Sequence, residues 1–248
     1  MLLIKTTKQL TGIEIKGDYE DLNLLYDALS NVIGEEGCYP EFDACSLRLL
    51  GLCYEIRHAY QGERMTLKST DGSKYYSFNW YWPETIFIAA VLGEYIDLSE
   101  SRKCYLNDMA VVFFHEETRQ HLKDSLPNHV AYIRYFQSLI WNELKQIIGQ
   151  KRFAKVFGKD ETRLRYNIFE QSFKNYCTQM VDILNVKYIE WKPERRDSYL
   201  ATIAERILKP SYDYVALKKA VLEYAEEQKV PHYEIELEGM QYPEKIEW

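Results

Sequence analysis

Apolar and polar residues alternate at both ends of this chain and repeat at helical intervals between them. Residues 1–7 and 12–16 read as short strands. In the second, Ile13 and Ile15 alternate with Glu14 and Lys16, and a hairpin joined through residues 8–11 is the simplest arrangement. Gly17 ends that strand. Asp18 is placed to cap a helix, with Asp21 three residues on, where an acid favours a helix N-terminus. Leu22, Leu25, Tyr26, Leu29 and Ile33 then share one helical face until Gly34 stops the run.

A loop containing Pro40 leads to Asp43, a candidate cap for a helix over 44–60. One of its stripes is Leu49, Leu52, Cys53 and Ile56, and a second is Leu47, Leu50 and Tyr54, which predicts burial around most of the circumference. Residues 65–68 and 74–82 flank Asp71-Gly72, the best hairpin signal in the chain. The second of these strands sets Tyr76, Phe78, Trp80 and Trp82 on one face and Tyr75, Ser77, Asn79 and Tyr81 on the other. Pro83 suits a first helical turn, Glu84 complements the helix dipole, and an apolar helix follows over 86–96.

The continuous apolar run 110–114 suits a central strand. From Pro127 onward the pattern turns helical, over 130–148, 163–184, 194–208 and 213–227. In 232–238, Tyr233, Ile235 and Leu237 alternate with His232, Glu234, Glu236 and Glu238, which reads as a last strand. The expected class is therefore α+β: an antiparallel or mixed sheet in the N-terminal half packed with helices, a helical C-terminal half, and a last strand returning to the sheet. One domain over 1–248 is expected, with an N-terminal α/β lobe at 1–126, a helical lobe at 127–229 and the final strand in 230–248.

Composition changes this picture little. A chain of 248 residues with 46% hydrophobic and 28% charged residues can bury an adequate core without disulfide or metal. Its 21 tyrosines, 10 phenylalanines and 5 tryptophans imply a core that meets water at its edges, or an aromatic-lined groove. A net charge of −7 disfavours non-specific attraction to polyanions and anionic membranes. No secretory signal is evident, and the longest apolar run, 86–92, falls far short of the roughly 20 residues that span a bilayer. A soluble, cytoplasmic protein with no membrane partner is expected. The five cysteines are odd in number and form no C-x-x-C, so they read as reduced structural thiols.

Several catalytic signatures are absent. No G-x-G-x-x-G or G-x-S-x-G appears, and His115-Glu116 does not extend to H-E-x-x-H because Arg119 occupies the last position. No metal and no cofactor are expected, and the chain leans away from an enzyme. Four clusters carry chemistry nonetheless. Arg57, His58 and Tyr60 bring hydrogen-bonding groups to the end of an apolar helix, where they could hold a ligand, or cap the helix and pair with Glu55 and Glu63. His115, Glu116, Glu117, Arg119 and His121 follow the expected central strand, or begin a solvated helix. Lys151, Arg152 and Lys155, in a basic stretch interleaved with Phe153, Phe157 and Tyr166, suit a nucleic-acid backbone, or pair with the acidic C-terminus. Tyr75, Asn79 and Tyr81 lie on a half-polar strand face that would suit a ligand or partner if exposed.

The strand–Gly–Asp–helix opening over 12–28, and the segment 49–64 with its Arg57-His58-Ala59-Tyr60-Gln61-Gly62 core, resemble an uncharacterised family of bacterial proteins. The resemblance covers the first half of the chain and implies no activity, cofactor or site residue. The leading functional expectation is a module that binds another protein or a copy of itself. A nucleic-acid binder using Lys151, Arg152 and Lys155 is the first alternative. An enzyme or small-ligand binder centred on Arg57 and His58 is the second.

Overall fold

The computed structural model describes residues 1–34, 37–70, 72–113, 116–158 and 172–248, and for 102–113 and 116–124 it describes the backbone alone. Strands β1 (Leu3–Thr6) and β2 (Gly12–Gly17) form the expected antiparallel hairpin. Strands β3 (Met65–Lys68) and β4 (Lys74–Tyr81) form the second, and β4 joins β2 to complete an antiparallel sheet of order β1-β2-β4-β3. The β2–β4 pairing depends on Gly12, because a Cβ there would lie 1.9 Å from the Trp80 carbonyl oxygen.

Between the hairpins lie α1 (Tyr19–Ile33) and α2 (Asp43–Tyr60). The start of α1 is a reciprocal cap: the Asp21 amide donates to Asp18 Oδ1 at 2.9 Å and the Asp18 amide donates to Asp21 Oδ2 at 3.2 Å. Helix α2 departs from expectation at its start. Pro40–Phe42 forms a 3₁₀ turn, Phe42 takes the cap position, and Asp43 is already helical. Only one of its two apolar stripes is buried. Leu49, Leu52, Cys53 and Ile56 face the core, whereas Leu47 and Tyr54 are exposed.

Helix α3 (Trp82–Phe113) runs through the middle of the molecule and packs on α1, α2 and α4 (Glu116–Phe157), and on α5 (Gln179–Glu190) and α6 (Pro193–Leu208). Residues 82–93 are buried on every side, as a central helix requires. The expected strand over 110–114 is overturned: 110–113 continue α3, and Phe114 lies outside the described residues. A short apolar run does not distinguish a buried strand from a buried helix. Here no glycine or proline interrupts 94–113, so α3 continues through these residues.

The C-terminal half is mostly helical, as expected, and ends in α7 (Tyr212–Gln228). Part of the helix expected over 163–184 is irregular. Ser172 to Thr178 form a turn in which Asn175 adopts φ 50° and its amide donates to the Glu41 carbonyl at 2.7 Å. Residues 163–171 lie outside the described residues. The last strand is also overturned: His232–Glu234 is a 3₁₀ turn, and the chain beyond it is irregular. Its alternation reports one apolar side, and that side is met by helices. Gln179 Nε2 on α5 donates to the carbonyls of His232 and Ile235 at 2.7 and 2.9 Å, where ladder bonds would otherwise form. The segment still reaches the sheet by its side chains, because Tyr242 and Trp248 stack on Tyr81 of β4.

Two arginines, Arg196 buried and Arg48 half-buried, tie these elements together. Arg196 of α6, 5% exposed, donates to the Gln9 carbonyl and Thr11 hydroxyl in the β1–β2 turn and to the carbonyls of Ile189 and Trp191. Arg48 of α2 donates to Glu84 of α3 at 2.8 Å, and to Asp182 and the Thr178 carbonyl at α5, at 2.5 and 3.0 Å. Buried residues from Leu2 to Val221 form one cluster around them.

Replacing Arg48 with Met should leave the buried Glu84 carboxyl without its ion-pair partner, and reduce stability by about 3–5 kcal/mol in urea denaturation. The double change Arg48→Met with Glu84→Gln should recover part of that loss. A second expectation concerns His232. Burial holds its imidazole below the ordinary value of 6.5, against a smaller opposing effect of the Tyr176 backbone, and its Nε2 has no hydrogen-bond partner. The unfolded chain therefore takes up this proton first as pH falls, and stability should drop from pH 6.5 toward the lower folded value. His232→Gln should flatten that part of a melting-temperature profile between about pH 7.5 and 5.

Candidate functional site

A groove of about 500 Å³ lies between α2, α5 and the irregular C-terminal segment, with Arg48, Gln179, Asp182, Tyr233, Met240 and Tyr242 among the residues that line it. Its position follows from local structure. Arg48 sits in the second turn of α2, next to the exposed Leu47 and one turn from the buried Ala44, and Asp182 lies in the first turn of α5. The C-terminal segment supplies the outer wall, anchored at both ends. Gln179 holds the His232 and Ile235 carbonyls, and the Thr11 hydroxyl donates to the carbonyl of Glu247.

Electrostatics at the floor are set by the ion pairs. Burial alone would lower the Arg48 pKa, but Glu84 and Asp182 outweigh it and hold the guanidinium charged. Asn185 Nδ2 donates to Glu84 Oε2 at 2.9 Å and reaches the Tyr242 hydroxyl at 3.3 Å. Burial pushes the Tyr242 phenol up to about 12, so it stays a neutral donor and acceptor. One cation thus faces two carboxylates below the groove, and the exposed Glu236 adds a third on its rim.

The residues singled out by sequence are spread over the surface. Arg57 is exposed, with its guanidinium 5.6 Å from the Tyr54 ring centre. His58 Nδ1 lies 2.5 Å from Glu63 Oε2, and Arg64 pairs with Glu55. Tyr60 meets Tyr19 and Tyr26 edge-on. None of these lines the groove. On the sheet, Lys16 Nζ lies 5.4 Å from the Tyr75 ring centre, and Asn79 stands opposite Glu14. Tyr81 alone of the group comes near the groove, through its stacking on Tyr242 at 5.7 Å. The outer sheet face leaves Leu3, Met65 and Leu67 exposed among charged neighbours such as Lys5.

Lys151, Arg152 and Lys155 are exposed on the last turns of α4, beyond a break at Gly149 (φ 78°). The aromatics between them belong to the core: Phe153 stacks on Phe157 at 4.4 Å, and Trp141 lies 5.1 Å from Phe157. They offer no stacking surface to a base. Lys159, Arg163, Arg165 and Tyr166 lie outside the described residues, as does His115. Glu116, Glu117, Arg119 and His121 begin α4. Among the described residues no group of three or more His, Cys, Asp or Glu side chains could hold a metal ion. Cys45, Cys53 and Cys177 are buried, and burial pushes the Cys53 thiol up to about 12 and that of Cys177 up to about 11.

Sequence reasoning missed Arg48, Glu84, Asp182, Asn185 and Tyr242 as a group. A signal was present in the first two. Arg48 interrupts an apolar helix, and Glu84 precedes a run that is apolar from Ile86 to Leu92, so both charges needed partners. Nothing in the sequence joins them to Asp182, 134 residues from Arg48.

A second feature lies on α7. This helix is anchored by Tyr214, Val221 and Ala225, yet Tyr212, Val215 and Leu222 are exposed, Tyr212 at 86%. Among the described residues no helix is long and apolar enough to cross a membrane.

No curated protein and no solved structure matches the chain. A family model described as a domain of unknown function, DUF6904, matches residues 2–248. The match covers almost the whole length, the irregular C-terminal wall of the groove included, and so extends beyond the N-terminal segments that carried the resemblance. The chain belongs to the DUF6904 family.

Proposed function

We propose that this chain is a self-associating protein whose α7 helix pairs with α7 of a second copy. The observation that carries this reading is the second apolar stripe of α7, left open by its own fold. Tyr212, Val215, Lys219, Leu222 and Glu226 recur at intervals of three and four residues, the spacing of a two-helix seam. A solitary exposed apolar residue is ordinary, but a stripe at seam spacing on a helix otherwise anchored by three side chains is not.

Charge selects the occupant. Lys218 and Lys219 lie near the middle of the helix, and Glu223, Glu226 and Glu227 follow in its last turns. A parallel alignment would set like charges against like. An antiparallel alignment about residues 220–221 places Lys218 of each copy level with Glu223 of the other, Lys219 with Leu222 and Val215 with Glu226, so that the long charged stems cover the exposed apolar side chains. The same surface then serves both copies, which is the requirement of a two-fold interface. Lys219 reaches Glu223 of its own helix at 3.7 Å, a solvent-exposed pair that can exchange between helices at little cost.

Light scattering and native mass spectrometry should find a dimer at concentrations of about 100 μM, well above the micromolar dissociation constants of modest interfaces. Val215→Glu and Leu222→Lys should each weaken it about tenfold or more, since roughly 1.5–3 kcal/mol of burial is lost. Both positions are exposed in the single chain, so circular dichroism should be unchanged. Lys219→Glu should weaken the dimer and Lys219→Glu with Glu223→Lys should restore it. A wild-type monomer throughout this range would refute the reading.

A further inference from the structure

The groove above Arg48 is independent of the α7 surface, and its chemistry indicates what it accepts. An anion is disfavoured, because the one cation of the floor already donates to Glu84, Asp182 and the Thr178 carbonyl. A carboxylate or phosphate would have to displace Asp182 and then lie beside Glu84, which is 5% exposed and held in place by Asn185. The charged groups left over at the groove are carboxylates. Asn185, behind Tyr242 and outside the lining of the groove, has a buried Oδ1 with no hydrogen-bond partner, and it cannot trade places with Nδ2, because that nitrogen donates to the Glu84 carboxylate. The Asp182 side chain is 35% exposed, at the groove, and Glu236 is a lining residue from the C-terminal segment.

Between these acceptors the walls are apolar and aromatic. Tyr233, Leu237, Met240 and Tyr242 come from the C-terminal segment, and Leu47 from α2. Aromatic faces and thioethers favour a cation on an apolar stem over a fully hydrated ion. The volume of about 500 Å³ lies within the range of small-molecule sites.

We propose that this groove binds a small organic cation, a primary amine or guanidinium on a short apolar stem, with the charged head against Asp182 and Glu236 and the stem along Tyr233, Met240 and Tyr242. Asp182 then accepts from Arg48 with one side and from the ligand with the other. The C-terminal segment is part of the site and should become more ordered when the ligand is bound.

Isothermal titration calorimetry with 1,5-diaminopentane and with agmatine tests this, with pentanoate and 1-pentanol as anionic and neutral controls. Saturable binding of the amines, and of neither control, is the expected result. Glu236→Gln and Asp182→Asn should each weaken it about tenfold, the effect of losing one charge-assisted hydrogen bond. Asp182→Asn also loosens Arg48, whereas Glu236 is exposed and makes no ion pair within the described residues, so Glu236→Gln separates loss of the site from loss of the fold. Absence of saturable binding by either amine up to about 10 mM, the weak end of specific recognition, would overturn the proposal. So would equal binding of pentanoate, or affinities unchanged in both variants.

Discussion

The half-buried guanidinium of Arg48 must be kept charged among packed helices, and much of the architecture follows from how that is done. Arg48 belongs to a helix whose neighbouring positions are apolar, and a buried charge is tolerated only when paired and hydrogen-bonded. Its partners come from two other helices: Glu84 from the first turn of α3, and Asp182 with the Thr178 carbonyl from the start of α5. Helices α2, α3 and α5 are therefore held in one mutual arrangement, because sliding any of them strands a charge. Hydrophobic contact alone would tolerate several packings of such helices, while a three-way ion pair tolerates one.

Arg196 does comparable work without a carboxylate partner. Its guanidinium joins the β1–β2 turn to the end of α5 through carbonyls and the Thr11 hydroxyl, while the ring of Tyr188 lies 5.9 Å away. Thr11 also holds the carbonyl of Glu247, so the C-terminal segment depends on the same corner. These links explain how a segment without regular structure can form the wall of a groove. They also separate two surfaces of different character. Around the groove, exposed aromatic area is covered by the chain itself, Tyr242 and Trp248 lying on Tyr81. On α7 the apolar residues Tyr212, Val215 and Leu222 stay exposed.

The parts of the fold legible in the sequence are those with local causes. Asp18 and Asp21 announce a cap that needs only neighbouring amides. Asp71-Gly72 marks a hairpin, and Pro83 a helix start, for similarly short-range reasons. Misreadings arose where a local pattern has two tertiary solutions. Residues 110–113 are apolar enough for a central strand or a buried helix, and the unbroken chain before them favours the helix. Residues 232–238 carry one apolar side, which a helix surface and Gln179 satisfy as well as a sheet would. Apolarity alone predicts burial of the second stripe of α2, yet Leu47 and Tyr54 remain in contact with solvent.

By itself, the sequence determined the α+β class, the two hairpins with their β-strand faces, the capped α1, the helical C-terminal half and a net charge of −7. Periodicity, turn residues and charge count act over a few residues and need no knowledge of what packs where. Tertiary structure alone decided which charges meet. Arg48 and Asp182 lie far apart in sequence, Tyr81 meets Tyr242 and Trp248 from the other end of the chain, and Arg57 and His58 turn toward their own helix end. Pairing of buried charge depends on three-dimensional proximity. No spacing along the chain encodes it, so the groove became visible only once the helices were in place.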